Sequence, residues 1–485
     1  MLKDIVIHGL VHPQAFNLDI PLQNLIEKSA VELAAAIRAK HFSVREVVTA
    51  FLNQIEKLNP AHNAIVSLRP HSEILAEADA CDSAEPKGAL FGLPIAIKDL
   101  AQTKGLRTTF GSPIYKDFVP AEDDLHVARI RAAGAIIIGK TNVPEWGFGS
   151  QTYNPVFGPT RNAYDRSLTA GGSSGGAAVA LALNMVPLAD GSDMGGSLRN
   201  PAAYNNIYGF RPSQGRVPAY PSSDMFMTQM ATEGPMGRCV DDVALLLSVQ
   251  AGRDERVPLS LGGDGSEFAS PLVPDAKGKR VAWLGDLQGA LPVEPGVLEV
   301  CEAGLSCLKN AGANLEHFVP EFDFERLWQA FRVLRQYSVG GGLMAHYNNP
   351  AERALLKPEA IWEVEQALKL SAHDVYEASV VRSEWYSCVL AAFEKFDFLA
   401  LPTAQVFPFP VEQHWPTSIR GVAMDSYHRW MQIVSLGTMT GCPIINIPVG
   451  FEGNRAMGLQ LMGKPQDDLG VLRLARAYEL NWTHI

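Results

Sequence analysis

The run Gly171-Gly-Ser-Ser-Gly-Gly176 places four glycines in six residues. Glycine loses more backbone entropy on ordering than any other residue and has no side chain to pack, so the run is predicted to be a loop. Directly behind it, Ala177 to Leu183 is apolar and rich in alanine, the pattern of a buried helix. The loop is therefore expected at a helix N-terminus, where unpaired backbone N–H groups and the helix dipole favour a polar reaction centre. Phosphate binding fits poorly, because the run has neither a Gly-x-x-x-x-Gly-Lys-Ser/Thr pattern nor a lysine. The flanking hydrophobicity also argues against a flexible linker.

A second island, Gly191-Ser-Asp-Met-Gly-Gly-Ser-Leu-Arg-Asn-Pro201, has two glycines just before Ser197. Such a turn lets successive main-chain N–H groups converge on one point, as an oxyanion hole requires, and each donor there is typically worth about 2.7–4 kcal/mol. Ser197 is the candidate nucleophile. A serine needs a base, and none of the twelve histidines lies in or beside the islands. Lys98 ends an apolar run in Gly92-Leu-Pro-Ile-Ala-Ile-Lys98-Asp99. Desolvation there lowers a lysine from about 10.4 and leaves a neutral amine able to accept a proton. One rival remains: Gly172-Ser-Ser-Gly-Gly176 fits the Gly-x-Ser-x-Gly elbow of Ser-His-Asp α/β-hydrolases, with Ser174 as nucleophile. An elbow follows a strand, however, and Asp165-Arg-Ser-Leu-Thr-Ala170 does not read as one.

Taken together, these residues closely resemble the amidase signature hydrolases. The resemblance runs from about Leu25 through Ser213 and returns in Leu436 to Tyr478, with Lys98 75 residues before Ser173 and Ser173 24 before Ser197. It implies that Ser197 is the nucleophile, Ser173 a relay serine held after a cis peptide bond, and Lys98 the general base, with Ser174 and Asp193 in support. The same resemblance implies an oxyanion hole made by the N–H groups of Met194, Gly195, Gly196 and Ser197. The implied activity is hydrolysis of a carboxylic acid amide through an acyl-enzyme, with no cofactor and no metal. The alternative within the family is the glutaminase-type A subunit of a tRNA-dependent amidotransferase. That protein carries an acidic residue where this chain reads Trp430-Met-Gln-Ile433, which disfavours it. Two departures from the family pattern are Gly191-Ser-Asp in place of Gly-Thr-Asp and Arg211-Pro-Ser213 in place of Lys-Pro-Thr.

The rest of the chain reads as α/β. Capping boxes at Ser29-Ala-Val-Glu32 and Ser43-Val-Arg-Glu46 start two helices whose Leu33, Ile37, Val47, Phe51 and Ile55 should face a core. Strand-like Pro94 to Ile97 and Ala135 to Ile138 flank a helical pattern from Asp124 to Ala133. After the Gly/Ser region, strands are expected at Arg280 to Leu284, Asn314 to Phe318, Phe398 to Leu401, Ile444 to Val449 and Gly458 to Met462, with helices over Pro295 to Asn310 and Asp468 to Leu480. With the resemblance, this predicts a single large amidase-signature domain over 1–485, its central mixed β-sheet covered by helices on both faces. Its parts would be an N-terminal helical segment (1–65), a catalytic core (66–320), a helical insertion (321–395) and the completion of the core (396–485).

A net charge of −11 argues against a nucleic-acid or anionic-membrane partner, since either would select a concentrated basic face. The longest apolar stretch, Ala177 to Ala189, is broken by Asn184 and too short to span about 30 Å of hydrocarbon. The first residues lack a secretory pattern, so a cytoplasmic protein is expected. The six cysteines show no metal-binding spacing and are expected as buried thiols. The partner is expected to be a small-molecule amide, and a homodimer is compatible with the sequence. Selectivity is expected from variable apolar segments, with Met225, Phe226 and Trp430 as pocket candidates for an apolar or aryl group.

Overall fold

Both capping boxes form. The Ser29 hydroxyl accepts the Glu32 N–H while the Glu32 carboxylate accepts the Ser29 N–H, and Ser43 pairs with Glu46 in the same way. They start the helices Ala30–Arg38 and Val44–His62, which bury Leu33, Ile37, Val47, Phe51 and Ile55. The computed structural model describes residues 23–227, 229–269 and 271–482. Residues 1–22 of the expected N-terminal segment lie outside the described residues.

Among the described residues, eleven strands form one mixed sheet. In chain order they are β1 (Ile65–Val66), β2 (Pro94–Lys98), β3 (Ile136–Thr141), β4 (Leu188–Asp193), β5 (Tyr208–Arg211), β6 (Thr232–Gly237), β7 (Arg280–Trp283), β8 (Asn314–His317), β9 (Phe398–Pro402), β10 (Ile444–Glu452) and β11 (Arg455–Gly463). Their spatial order is β1-β3-β2-β4-β6-β5-β10-β11-β9-β7-β8. β2 runs parallel to β3 and β4, and β7 runs parallel to β8 and β9, while the other neighbours are antiparallel. Four helices, Phe324–Asn348, Pro350–Arg353, Pro358–Ala367 and Ala372–Phe393, lie between β8 and β9. Two large apolar clusters pack against the sheet. One is built on β1 to β4 and the N-terminal helices, the other on β5, β7, β9 to β11 and the long helices of the second half.

Three local features differ from the sequence reading. Gly175 and Gly176 belong to the first turn of the helix Gly175–Ala182. A Cβ on Gly176 would lie 2.3 Å from the Asn142 nitrogen, so glycine here permits a close backbone approach and the helix starts inside the run. Gly191 to Asp193 complete β4 instead of opening the turn. β5 and β6 had no clear signal: Thr232-Glu-Gly-Pro-Met-Gly237 carries residues that strands usually exclude, yet a Cβ on Gly234 would meet the Phe210 carbonyl oxygen at 2.4 Å. The six cysteines divide into three buried and three half-buried thiols, none in a disulfide.

The register positions the site. Within β2 and β4, Ile95 pairs with Leu188 and Ala96 with Ala189, so their C-terminal ends emerge side by side. Across β4 and β6, Ser192 pairs with Glu233 and Asp193 with Thr232. Lys98, Ser192, Asp193 and Glu233 therefore meet beyond the carboxyl ends of parallel strands, where open α/β sheets form their crevices.

Candidate active site

Lys98 is 1 % exposed, and its Nζ lies 2.8 Å from Ser173 Oγ, 2.8 Å from Ser192 Oγ and 3.3 Å from the Ser192 carbonyl oxygen. Burial pushes its pKa down to about 8, against the opposing pull of the Glu233, Asp190 and Asp193 carboxylates. The Lys98 main-chain N–H is anchored on Asp190 Oδ1 at 2.8 Å. A second buried lysine, Lys140 at the end of β3, instead donates to the Ala101 carbonyl and to Thr103 Oγ1.

Ser173 and Ser197 line one cleft with Ser192, Met194, Gly195 and Glu233, and its cavity volume is about 160 Å³. No hydrogen bond joins the two hydroxyls among the described residues, whereas Ser173 and Lys98 are directly bonded. Such contacts are often long in the absence of substrate and tighten in the complex. The Gly172–Ser173 peptide is cis. Its loop is tied down by Ser150 Oγ donating to the Gly172 carbonyl and by Thr152 Oγ1 donating to that of Gly171. Asn200 Nδ2 in turn donates to Ser150.

The expected oxyanion donors need one correction. The Gly196 N–H points at Asp193 Oδ1, 2.9 Å away, while those of Met194, Gly195 and Ser197 have no hydrogen-bond acceptor among the described residues. Asp193 organises the turn, and its carboxylate also accepts the Leu198 N–H and both Arg199 and Arg211. Burial alone would raise this carboxyl, but Arg199 and Arg211 outweigh it and hold it well below the usual carboxylate range. All three side chains are fully buried. Asp193→Ala leaves two buried guanidinium groups without their carboxylate, and breaking such a pair costs about 3–5 kcal/mol. A loss of this size in urea unfolding is the expected result.

Ser174 contributes through its backbone. Its N–H reaches the Ser197 carbonyl at 3.3 Å, linking the two islands, while its buried hydroxyl has no hydrogen-bond partner among the described residues. No histidine is among the residues lining the cleft, which leaves the elbow alternative without a base.

The expected pocket residues lie elsewhere. Trp430 is 1 % exposed, donates its indole N–H to the Tyr427 carbonyl and packs edge-on against Phe409. The short turn Arg429–Met431 sends it into the core and presents its neighbour Met431 to the cleft. Met225 is half-buried and outside the cleft lining, and Phe226, 63 % exposed, lines a separate surface cavity. The apolar walls are formed by Leu100, Trp146, Phe148, Met194, Val339 and Met431. Arg335, on the long helix Phe324–Asn348, also reaches the cleft, bonded to Glu363, Tyr427 and the Met194 sulfur. Sequence reading missed Ser192, Glu233, Met431 and Arg335. The departure from Gly-Thr-Asp at Ser192 was the one available signal.

Comparison with known proteins places this chain and its fold in a defined family. The family profile described as Amidase matches residues 46–472. An acylamidase from Rhodococcus erythropolis is 32% identical over 470 residues, covering 94% of this chain and 96% of that protein. The A subunit of the glutamyl-tRNA(Gln) amidotransferase from Thermus thermophilus is 34% identical over 476 residues, covering 93% and 96%. Among solved structures, a bacterial aryl acylamidase of the amidase signature family superposes with a TM-score of 0.87 at 29% identity, over 94% of this chain and 96% of that one. The native peptide amidase from Stenotrophomonas maltophilia superposes with a TM-score of 0.77 at 27% identity, over 94% and 96%.

The chain belongs to the amidase family. It is an amidase-signature hydrolase acting on C–N amide bonds.

No helix among the described residues is long and apolar enough to cross a membrane, and those residues hold no cluster of His, Cys, Asp and Glu able to bind a metal ion.

Proposed function

We propose that this chain hydrolyses small amides on its own, through Lys98, Ser173 and Ser197 and an acyl-enzyme on Ser197. The contact between the buried Lys98 amine and Ser173 Oγ, inside the cleft that also holds Ser197, carries the reading. A neutral amine has two N–H bonds and one lone pair. The hydroxyl and carbonyl oxygens of Ser192 accept the two N–H bonds, which turns the lone pair toward the Ser173 hydroxyl. Lys98 takes the Ser173 proton, Ser173 takes that of Ser197, and Ser197 Oγ attacks the amide carbonyl. The N–H groups of Met194, Gly195 and Ser197 face the oxyanion that forms. Ser173 then protonates the departing amine, and water repeats the sequence to release the acid.

The apolar walls and the cavity of about 160 Å³ fit an acyl or amine portion of about one aromatic ring. For scale, an apolar protein cavity of about 150 Å³ accommodates benzene. The acylamidase relative and the aryl acylamidase structure support this range. Similarity to the A subunits of amidotransferases supports a second reading, a glutaminase that works only within a complex. Hydrolysis of simple aryl and aliphatic amides by the purified chain, with an acyl group trapped on Ser197 and located by peptide mass spectrometry, is the expected result. Inactivity without added partner proteins would favour the amidotransferase.

The pH dependence follows from Lys98. The base works when neutral, and burial holds its pKa at about 8, so kcat/KM is expected to rise with pH and level off above about 8. Below that point it should fall about tenfold per pH unit. A flat profile between pH 6 and 9 would contradict Lys98 as the base.

A further inference from the structure

Among the described residues Glu233 is the one carboxylate lining the cleft, and the mechanism has no use for it. It stands opposite Ser192 in the β4–β6 ladder, and directly paired residues on one face of a sheet have Cβ atoms about 4.5–5.5 Å apart. Ser192 in turn holds Lys98 Nζ through its hydroxyl. Glu233 thus sits one side chain from the proposed base, half-buried and open toward the cleft. Its carboxylate has no hydrogen bond or ion pair among the described residues. An unpaired carboxylate in a largely desolvated wall is costly unless something nearby uses its charge.

The charges facing it come from four elements. Lys98 is at the end of β2, His126 and Asp124 are on the helix Leu125–Ala132 and at its N-cap, and Asp190 and Asp193 are on β4. Arg335 faces the same cleft from the long helix but is already paired with Glu363. Behind the site, His126 Nε2 lies 3.3 Å from Asp190 Oδ2 and both are buried. Lys140 is engaged at Ala101 and Thr103. Among the carboxylates acting on Lys98, Glu233 acts most strongly, ahead of Asp190 and Asp193. Burial pushes the Glu233 carboxyl up to about 7, with His126 and Lys98 pulling it down, so its charge changes within the working range.

We infer that Glu233 is a positioning residue for the proposed base: its unpartnered carboxylate beside Ser192 holds the proton on Lys98 and so restrains nucleophile activation wherever that carboxylate is ionised. This rests on the triad reading above. An opposite charge within about 4–6 Å moves a pKa by about 1–3. Removing the charge therefore lets Lys98 become neutral at lower pH over the range in which Glu233 is ionised.

The test uses phenylmethylsulfonyl fluoride on the full chain, followed by intact-protein and peptide mass spectrometry. In labelling, the Ser197 Oγ–S bond forms, the S–F bond breaks, fluoride leaves and the Ser197 proton passes through Ser173 to Lys98. The rate is measured from pH 5 to 9 for the wild type, Glu233→Gln, Glu233→Asp and Lys98→Ala, with Glu233→Ala as a second neutral variant should Gln fail to fold. The expected result is a limb displaced to lower pH in the neutral variants above about pH 7, where the wild-type carboxylate is charged, so that Glu233→Gln is labelled about threefold faster than wild type at about pH 7.5 and the two converge toward about pH 6. Glu233→Asp should keep the wild-type limb. An unmoved limb, or a uniform loss of rate at every pH, overturns the role of Glu233 while loss of labelling in Lys98→Ala leaves the triad standing. Wild-type labelling rates in Lys98→Ala, or no labelling of Ser197 in the wild type, overturn the triad and this inference together.

Discussion

Ser197→Ala is expected to remove acyl-enzyme formation altogether and to lower kcat by about 10⁶-fold, the loss typical of deleting a serine nucleophile. The substitution should be silent for folding. Ser197 is half-buried and its hydroxyl has no hydrogen bond among the described residues, so the change in unfolding free energy should stay within about 0.5 kcal/mol. Steady-state kinetics on an aryl amide and urea unfolding of the same preparation separate the two effects. Ser174→Ala is the control. Its hydroxyl packs unpartnered against Gly191, where an added Cβ would lie 2.7 Å from Ser174 Oγ, so trimming it should leave catalysis largely intact. Activity that survives the change at 197 and vanishes with the change at 174 would restore the elbow mechanism.

Replacing Lys98 should give the second largest loss, about 10²–10⁴-fold in kcat/KM, the range for a general base. It also carries a stability signature. The folded pKa of about 8 lies below the ordinary value of 10.5, so the unfolded chain binds the proton more tightly. The resulting penalty is fully present below about pH 8 and fades as pH rises toward 10.5. At about 1.4 kcal/mol per tenfold in proton affinity, it reaches at most about 3.5 kcal/mol. Lys98→Met removes the ammonium and fills the space, while leaving the Ser173 and Ser192 hydroxyls short of a partner. Its stability relative to wild type should therefore be most favourable at pH 7 and decline by pH 10. A difference that is the same at both pH values would contradict a depressed lysine at this position.

Local signals carried well where the physics is local. Ser29 and Ser43 cap their helices because each hydroxyl and its partner glutamate lie three residues apart, a geometry that needs nothing from the rest of the chain. The apolar runs at β2, β3, β9 and β10 bury nearly every residue, and such strands stand out by composition. β5 and β6 do not. Gly209 and Gly234 serve tight passages against Leu198, Phe210 and Pro212, and those neighbours are known only after folding. The aromatic residues were misleading for the same reason: Trp328, Trp385 and Trp430 are bulky and apolar whether they pack a core or a substrate, and here all three are buried in the core.

From the chain's own order came the chemical groups: two glycine-rich islands with their serines, a lysine closing an apolar strand, and an excess of acidic over basic residues. Tertiary structure alone chose among them. Lys98 and Lys140 both follow apolar runs and both are buried with pKa values near 8, yet only Lys98 reaches Ser173, because β2 lies next to β4 whereas β3 lies one strand further out. Ser192 and Glu233 became neighbours through the β4–β6 register, across 41 residues of chain. A hydrogen-bonding group is a property of its residue, but its partner is set by which strands pair and in what register, and those depend on the packing of the whole sheet.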